Sequence, residues 1–375
     1  MGIGDCPYDN LDNSVKCSLT EYYYVHSLED YDQVMRAAAF YTFKYGKIDF
    51  VESQNEYWLP LEARLREDFN VHNGLRPDEL RTVLLKSEMK HAYEKGGIKT
   101  AHWLLLDTKT RALKFSKMVG FPLIVKPDHG VGAAHTYKIE TARQLDDVLR
   151  QIEGDGRSYI MEEFVPGHVE TFDGITDSKG NILFCTGQVM KHTPLAMLDG
   201  DGENISYTRN MQQSDLLAVG ERAVKAFSAK QTFFHFEFFR LDSDKPGLGK
   251  KGDIVGLEVN MRAPGGYIPD KMNYAYDVDV YQIWAESIVY DENRSFRDYG
   301  FKRYVTHYGR GAGVDYLHTA DDIRQRFGSR ILLEKTPPPS ISGGMGAQVF
   351  ILKADTKETL IEDGDFILAK RVVQE

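Results

Sequence analysis

The sequence predicts an α/β (α+β) protein of two or three domains, and three observations carry that expectation. Stretches of strand character alternate with helical ones along most of the chain. The 375 residues exceed what a single core usually organises. Two strand-like segments, FFHFEFFRLD and DIVGLEVNMRAPGG, set carboxylates among aromatic and apolar neighbours.

Those two segments are the most informative. Alternation along a strand places His235, Glu237 and Phe239 on one face, with Phe234, Phe236 and Phe238 on the other. Glu258, Asn260 and Arg262 share a face in the second segment, with Val259 and Met261 behind them. The intervening LDSDKPGLGKKG reads as a hairpin loop centred near Gly247, which sets Glu237 opposite Glu258. Two carboxylates that close repel unless a cation lies between them, and oxygen ligands favour a hard ion such as magnesium. An ordinary solvated ribbon is the competing reading, but a Glu inside so apolar a run is poorly explained as a surface residue.

Composition narrows the class. Hydrophobic content of 42%, 27% charged residues and 12% aromatics describe a chain that folds throughout. A net charge of −10 without long runs of either sign disfavours nucleic acid or an anionic membrane as partner. Cys6, Cys17 and Cys185 are widely spaced and form no disulfide framework, so a reducing cytoplasm is expected. The N-terminus lacks the features of an export signal, and no stretch reaches the length of a membrane span.

In chain order, residues 28–45 are expected to be helical, KIDFVES a short strand and EYWLPLEARLREDF a second helix, in the rhythm of a parallel sheet. Asp78 can cap a further helix running toward Tyr93, with Lys86 and Lys90 along it and Lys90 facing solvent. After a short helix closed by Gly120, FPLIVK makes a strand ending in Lys126. The glycines of HGVGAA then join two strands instead of opening a helix, so they are not a dinucleotide-binding turn. A glycine hairpin beside a strand-end lysine can fold over a polyphosphate. Thr141 and Gln144 make a capping box for the next helix.

A strand is expected from Tyr159 to Val165, in which consecutive Glu162 and Glu163 face opposite ways, one toward a cleft and one toward water. Extended backbone at Glu163 and Val165 can match an adenine edge, and Glu170 can accept from ribose hydroxyls. Further expectations are strands at Val169 onward and through Lys191 to His192, a helix over SDLLAVGERAVKAFSAK, and one buried helix over YAYDVDVYQIWAESIVY with Val278, Tyr281, Ile283 and Trp284 inward. The C-terminal part reads as RYVTHYGR, a helix from Ala320 to Phe327, ILLEK, a break at PPPSISGG, AQVFILKA and a last helix.

This order of signals, from strand lysine through glycine hairpin and Glu-Glu strand to Glu237 and the Glu258-x-Asn260-x-Arg262 strand, resembles the ATP-grasp superfamily. It is most similar to the carboxylate–amine ligases that include L-amino acid ligases, with biotin carboxylase and carbamoyl-phosphate synthase more distant. The resemblance implies an N-terminal Rossmann-like pre-ATP-grasp domain over residues 1–85, an ATP-grasp domain over 86–290 and a small C-terminal α/β lobe over 291–375. The chain opens at GIGD, which resembles material after the family's first βα unit, so the first sheet is short of an edge strand or the sequence starts late. HGVGAA also carries less glycine than relatives often do.

By position, the resemblance implies that Lys86 and Lys126 contact ATP phosphates and that the loop from His129 through Gly130 and Gly132 to Ala134 closes over them. Glu162, Glu163 and Val165 would hold adenine, with His168 or Glu170 near the ribose. Glu237, Glu258 and Asn260 would bind one or two Mg²⁺ ions, replaceable by Mn²⁺, and Arg262 with Lys126 would stabilise charge during transfer. The implied activity is an ADP-forming ligase acting on a small carboxylate and an amine. The alternatives are a non-catalytic ATP-binding module and bicarbonate-using chemistry of the carboxylase or carbamoyl-phosphate type. A homodimer is compatible with the sequence, which does not fix the oligomeric state.

Overall fold

The structure, a computed structural model, describes residues 1–130, 135–191 and 203–371. The chain divides into two compact units, Met1–Leu80 and Arg81–Glu375. In the first, β1 (Gly2–Gly4) pairs in parallel with β2 (Tyr22–Tyr24), accompanied by α1 (Asn13–Ser18), α2 (Tyr31–Tyr45) and α3 (Leu59–Asp68). The Asp30 carboxylate accepts from the N–H groups of Asp32 and Gln33, which starts α2. Val25, Val34, Ala37, Ala38 and Leu65 form the core. The strand expected at KIDFVES is not formed. Side chains take its backbone groups instead: the Val51 N–H donates to Asn73 Oδ1 at 3.0 Å and its carbonyl accepts from Arg66 Nη2 at 2.7 Å.

The second unit opens with α4 (Arg81–Leu84) and α5 (Lys86–Lys95). These replace the single helix expected from Asp78, because Leu85 turns extended to bridge His129 and the Lys86 N–H donates to Asp128 O at 2.8 Å. A small sheet follows, built from β3 (Trp103–Leu105), β4 (Leu123–Pro127), β5 (Tyr137–Ile139) and β6 (Tyr159–Glu163) in the order β3-β6-β4-β5. One face is covered by α6 (Lys109–Val119) and α7 (Ala142–Ile152) through Ala112, Phe115, Leu123, Val125, Leu145 and Met161. The Thr141–Gln144 capping box is formed as expected.

The large sheet comprises β7 (Gly167–Thr176), β8 (Ile182–Met190), β9 (Asn204–Arg209), β10 (Phe233–Leu241), β11 (Ile254–Asn260), β12 (Tyr304–Arg310), β13 (Ile331–Lys335) and β14 (Gln348–Ala354). Its order is β11-β10-β7-β8-β9-β12-β14-β13, so the C-terminal strands extend the same sheet. The helices of this part are α8 (Asp215–Ala226), α9 (Ile268–Tyr276), α10 (Val280–Tyr290), α11 (Ala320–Phe327), α12 (Pro339–Met345) and α13 (Lys357–Ile367). In-register neighbours share a face. One face packs on α9 and α10 through Ile175, Phe184, Phe233, Met272, Ile283 and Val305. The other carries Phe172, Phe234, Phe236 and Phe238, with Phe227 and Tyr93 against them.

Three further expectations are corrected. The helix expected over residues 274–290 is split at Asp277, a left-handed residue after α9, and Asp279 caps α10 afresh. Tyr281 then faces solvent at 57% exposure instead of packing inward. PPPSISGG holds α12, not only a break, and β3 and β9 had no foreseen counterpart. His192, expected to end β8, lies outside the described residues.

Candidate active site

β10 and β11 pair antiparallel with Glu237 directly across from Glu258 and His235 across from Asn260. Residues opposed in this way have Cα atoms roughly 4.5–5.5 Å apart, so the two carboxylates converge on one face. Each has a cationic neighbour. Lys86 Nζ lies 3.4 Å from Glu258 Oε1, and His235 Nε2 lies 3.2 Å from Glu237 Oε1. The other nitrogen of His235 bonds to Asp173, directly across on β7. Burial works against charge on His235, but Asp173 and Glu237 on either side outweigh it and hold its pKa up to about 10.

The small sheet contributes a second charged set. Glu162 on β6 lies 3.0 Å from Lys126 on β4 and 3.0 Å from Lys90 on α5, and all three are buried. Burial works against the Glu162 charge, but the two lysines override it and bring its pKa down to about 2. Lys126 is held above its ordinary value against its burial by Glu162, with Glu258 and Glu237 adding to the effect. Lys90, the more enclosed lysine, is lowered by burial. α5 is fixed at this junction by Tyr93, whose hydroxyl donates to Glu258 O at 2.7 Å, and by Lys90, which donates to Leu257 O at 3.4 Å. Lys86 Nζ also donates to Gly130 O at 2.6 Å, at the start of the glycine loop.

Arg262 follows β11. Its Nη1 donates to Ala263 O at 2.8 Å and its Nη2 to Asn260 Oδ1 at 3.4 Å, which sets the guanidinium beside the carboxylate pair. Among the described residues no three His, Cys, Asp or Glu side chains form a metal cluster. Glu237, Glu258 and the Asn260 amide do fit Mg²⁺, which characteristically takes one or two carboxylates and fills its shell with water and phosphate oxygens.

No family model matches the chain. Among curated proteins it is 24% identical over 273 residues to the L-arginine-specific L-amino acid ligase of Bacillus subtilis, spanning 68% of this chain and 60% of that one. It is 27% identical over 163 residues to the carbamoyl phosphate synthase large chain of Thermoanaerobacter sp. (strain X514), spanning 42% of this chain but only 14% of that one. Among solved structures it superposes on the L-amino acid ligase of Bacillus licheniformis with a TM-score of 0.66 and 18% identity, covering 92% of this chain and 86% of the other. The chain has the ATP-grasp fold.

Within the ATP-grasp fold, the structure brings together Lys86, Lys126, Glu162, Glu237, Glu258, Asn260 and Arg262, all expected from sequence. Glu162 and Glu163 are both buried, not one wet and one dry, because β6 is an inner strand between β3 and β4. The Glu162 side chain is spent on lysines, and the Glu163 carboxylate accepts from the His102 N–H at 2.8 Å and lies 2.6 Å from its Nδ1; the expectation for adenine concerns the backbone C=O and N–H at Glu163 and Val165, on which these side-chain contacts do not bear. The Val165 side chain packs with Ala101, Leu241, Leu248 and Val255.

Glu170 and His168 do not share the Glu237 face. Thr171 is the residue across from Glu237, whereas Glu170 lies across from Phe238 and His168 across from Arg240. Glu170 is enclosed by Arg209, Arg240 and His168, and His168 Nδ1 lies 2.7 Å from Asp242 Oδ1. His129 lines a separate cavity of about 520 Å³ with Arg81, His91, Trp103 and Arg157. Gly132 lies outside the described residues.

Sequence reasoning missed Lys90, expected in solvent and found 1% exposed. The signal was present, since Lys90 stands four residues after Lys86 and therefore on the same helical face. It also missed the Asp173–His235 pair, which no local pattern on either strand announces.

Proposed function

We propose that the chain is an ATP- and magnesium-dependent, ADP-forming ligase that activates a small carboxylate as an acyl phosphate and passes the acyl group to an amine. The observation carrying this reading is the in-register Glu237–Glu258 pair with Asn260 and Arg262 beside it and the charge of Lys126 bearing on it. The named relatives, an L-amino acid ligase and a carbamoyl phosphate synthase, support it.

In this reading Lys126 and Lys86 receive phosphate oxygens, Lys86 turning from Gly130 O and Glu258 to do so. Glu237, Glu258 and Asn260 would hold the Mg²⁺, which would supply charge neutralisation at the phosphates. Catalysis of the phosphoryl step is then mostly positioning and electrostatics. Arg262 and the N–H groups at Gly265 and Gly266 stabilise the oxyanion that forms when the amine attacks. The three cysteines are free, consistent with a reducing cytoplasm as the working compartment, and among the described residues no helix is long and apolar enough to cross a membrane.

The test is Mg²⁺-dependent ADP release from ATP in pools of amino acids, small carboxylic acids and bicarbonate, with Glu258→Ala beside the wild type. Release that requires the metal and one particular pool, and that the variant loses, supports the ligase. Tight ATP binding without release in any pool would leave a nucleotide-binding module.

A further inference from the structure

Deepening the ligase reading, on which it rests, we infer that Lys271, with Gln188 and His307, forms a subsite for a free carboxylate of the substrate, remote from the phosphoryl-transfer centre. α9 presses Lys271 onto the same sheet face that carries Glu237. Its Nζ donates to Ser206 Oγ at 2.7 Å and to Ser206 O at 3.3 Å, and the residue is 1% exposed. Among the described residues no carboxylate pairs with it. Asp173, whose field reaches it, is already bonded to His235 and Thr171.

Around this cation lie side chains with unused hydrogen-bonding capacity. Gln188 on β8 is fully buried, and neither its amide nitrogen nor its amide oxygen has a partner. His307 on β12 is directly across from Ser206, and its Nε2 has none. Register places Gln188 between Thr171 and Thr208, on the same face as Ser206 and His307. Buried polar groups are normally satisfied, so orphaned ones on β8 and β12, the two strands flanking Ser206 on β9, mark a place where a polar partner is expected.

The chemistry selects that partner. An ammonium, an amide N–H₂ and the Nε2–H tautomer of a neutral imidazole are donors, and an anion with two acceptor oxygens satisfies these donors where a cation cannot, the Gln188 amide oxygen remaining an acceptor. Burial lowers the Lys271 pKa to about 7, so an arriving carboxylate restores a charge that burial weakens. Three strand spacings, roughly 14 Å, separate the strand of Ser206 from that of Glu237, so the group bound here is not the one being phosphorylated. It is the second carboxylate of an acid substrate or the carboxylate of an amino acid that supplies the amine.

The experiment is calorimetric binding to the whole chain with Mg²⁺ and a non-hydrolysable ATP analogue. The ligands are linear diacids beside their monoamides and amino acids beside their amides. Wild type should bind the acid of one series about 10- to 100-fold more tightly than its amide, and that series identifies which substrate carries the carboxylate. Lys271→Met should reduce the preference to about threefold or less, and Gln188→Leu should reduce it in part. Equal affinity for acid and amide in wild type, or binding of neither, overturns the subsite, whether or not either variant folds. An acid preference in binding without ADP release for any ligand supports the subsite and sinks the ligase reading.

Discussion

Glu162 shows how one side chain can organise a site that it does not have to touch. It pairs with two buried lysines at once, and removing its charge leaves both with only the more distant carboxylates Glu258 and Glu237 to offset them. Glu162→Gln should therefore cost on the order of 3–5 kcal/mol of stability, read as a lower denaturant midpoint for the Arg81–Glu375 unit. An unchanged midpoint would mean that the lysines find other partners. Because the Glu162 pKa falls from 4.5 to about 2 on folding, its contribution is complete above pH 4.5 and is lost as pH drops toward 2. Acid unfolding of the wild type should accordingly steepen in that window, and the Gln variant should lack the component. Arg262→Ala should lower kcat by about 100-fold or more with little change in the KM for ATP, since the residue is assigned to charge that develops during transfer. The residue types of this centre were legible in the sequence because alternation fixes which strand residues share a face. Lys90 was misread because burial is decided by neighbours far away in the chain.

At the level of elements, the site depends on α5 lying close against β11, and Gly256 is what permits it. A Cβ there would stand 2.7–2.9 Å from the Tyr93 ring, with backbone on both sides already committed to pairing. Gly256→Ala should destabilise by about 1–3 kcal/mol and lower activity by displacing Lys86 and Lys90, whereas Gly252→Ala, with nothing near its Cβ position but a φ of +92°, should cost stability alone. Activity and melting measured on both variants separate the two effects. Helices with caps and strong periodicity, such as α7 and Ala320–Phe327, were readable from sequence. The break at Leu85 was not, because the groups that draw it out of helix, Asp128 and His129, come from a different strand end.

At the scale of the whole molecule, the sequence could show that strands at either side of residue 300 exist but not that they join one sheet, since the junction is the β9–β12 pairing, which joins residues about 100 apart, such as Tyr207 and Thr306. Every residue assigned to the nucleotide and metal lies in the Arg81–Glu375 unit, while Met1–Leu80 has a core of its own. Scanning calorimetry with Mg²⁺ and an ATP analogue should therefore raise the transition of the larger unit, by an amount that grows with ligand concentration. The contacts of Lys86 with Glu258 and of His235 with Glu237 carry a last consequence. A divalent ion arriving alone has to displace the protein's own cations from those carboxylates, and a nucleotide arriving alone brings like charge toward them. Arriving together, in the proposed assignment, they would exchange partners, lysine to phosphate and carboxylate to metal. Under the proposed function metal and nucleotide should thus be heterotropic effectors of one another, each tightening the other by the same factor, and titrating either in the presence and absence of the second measures it.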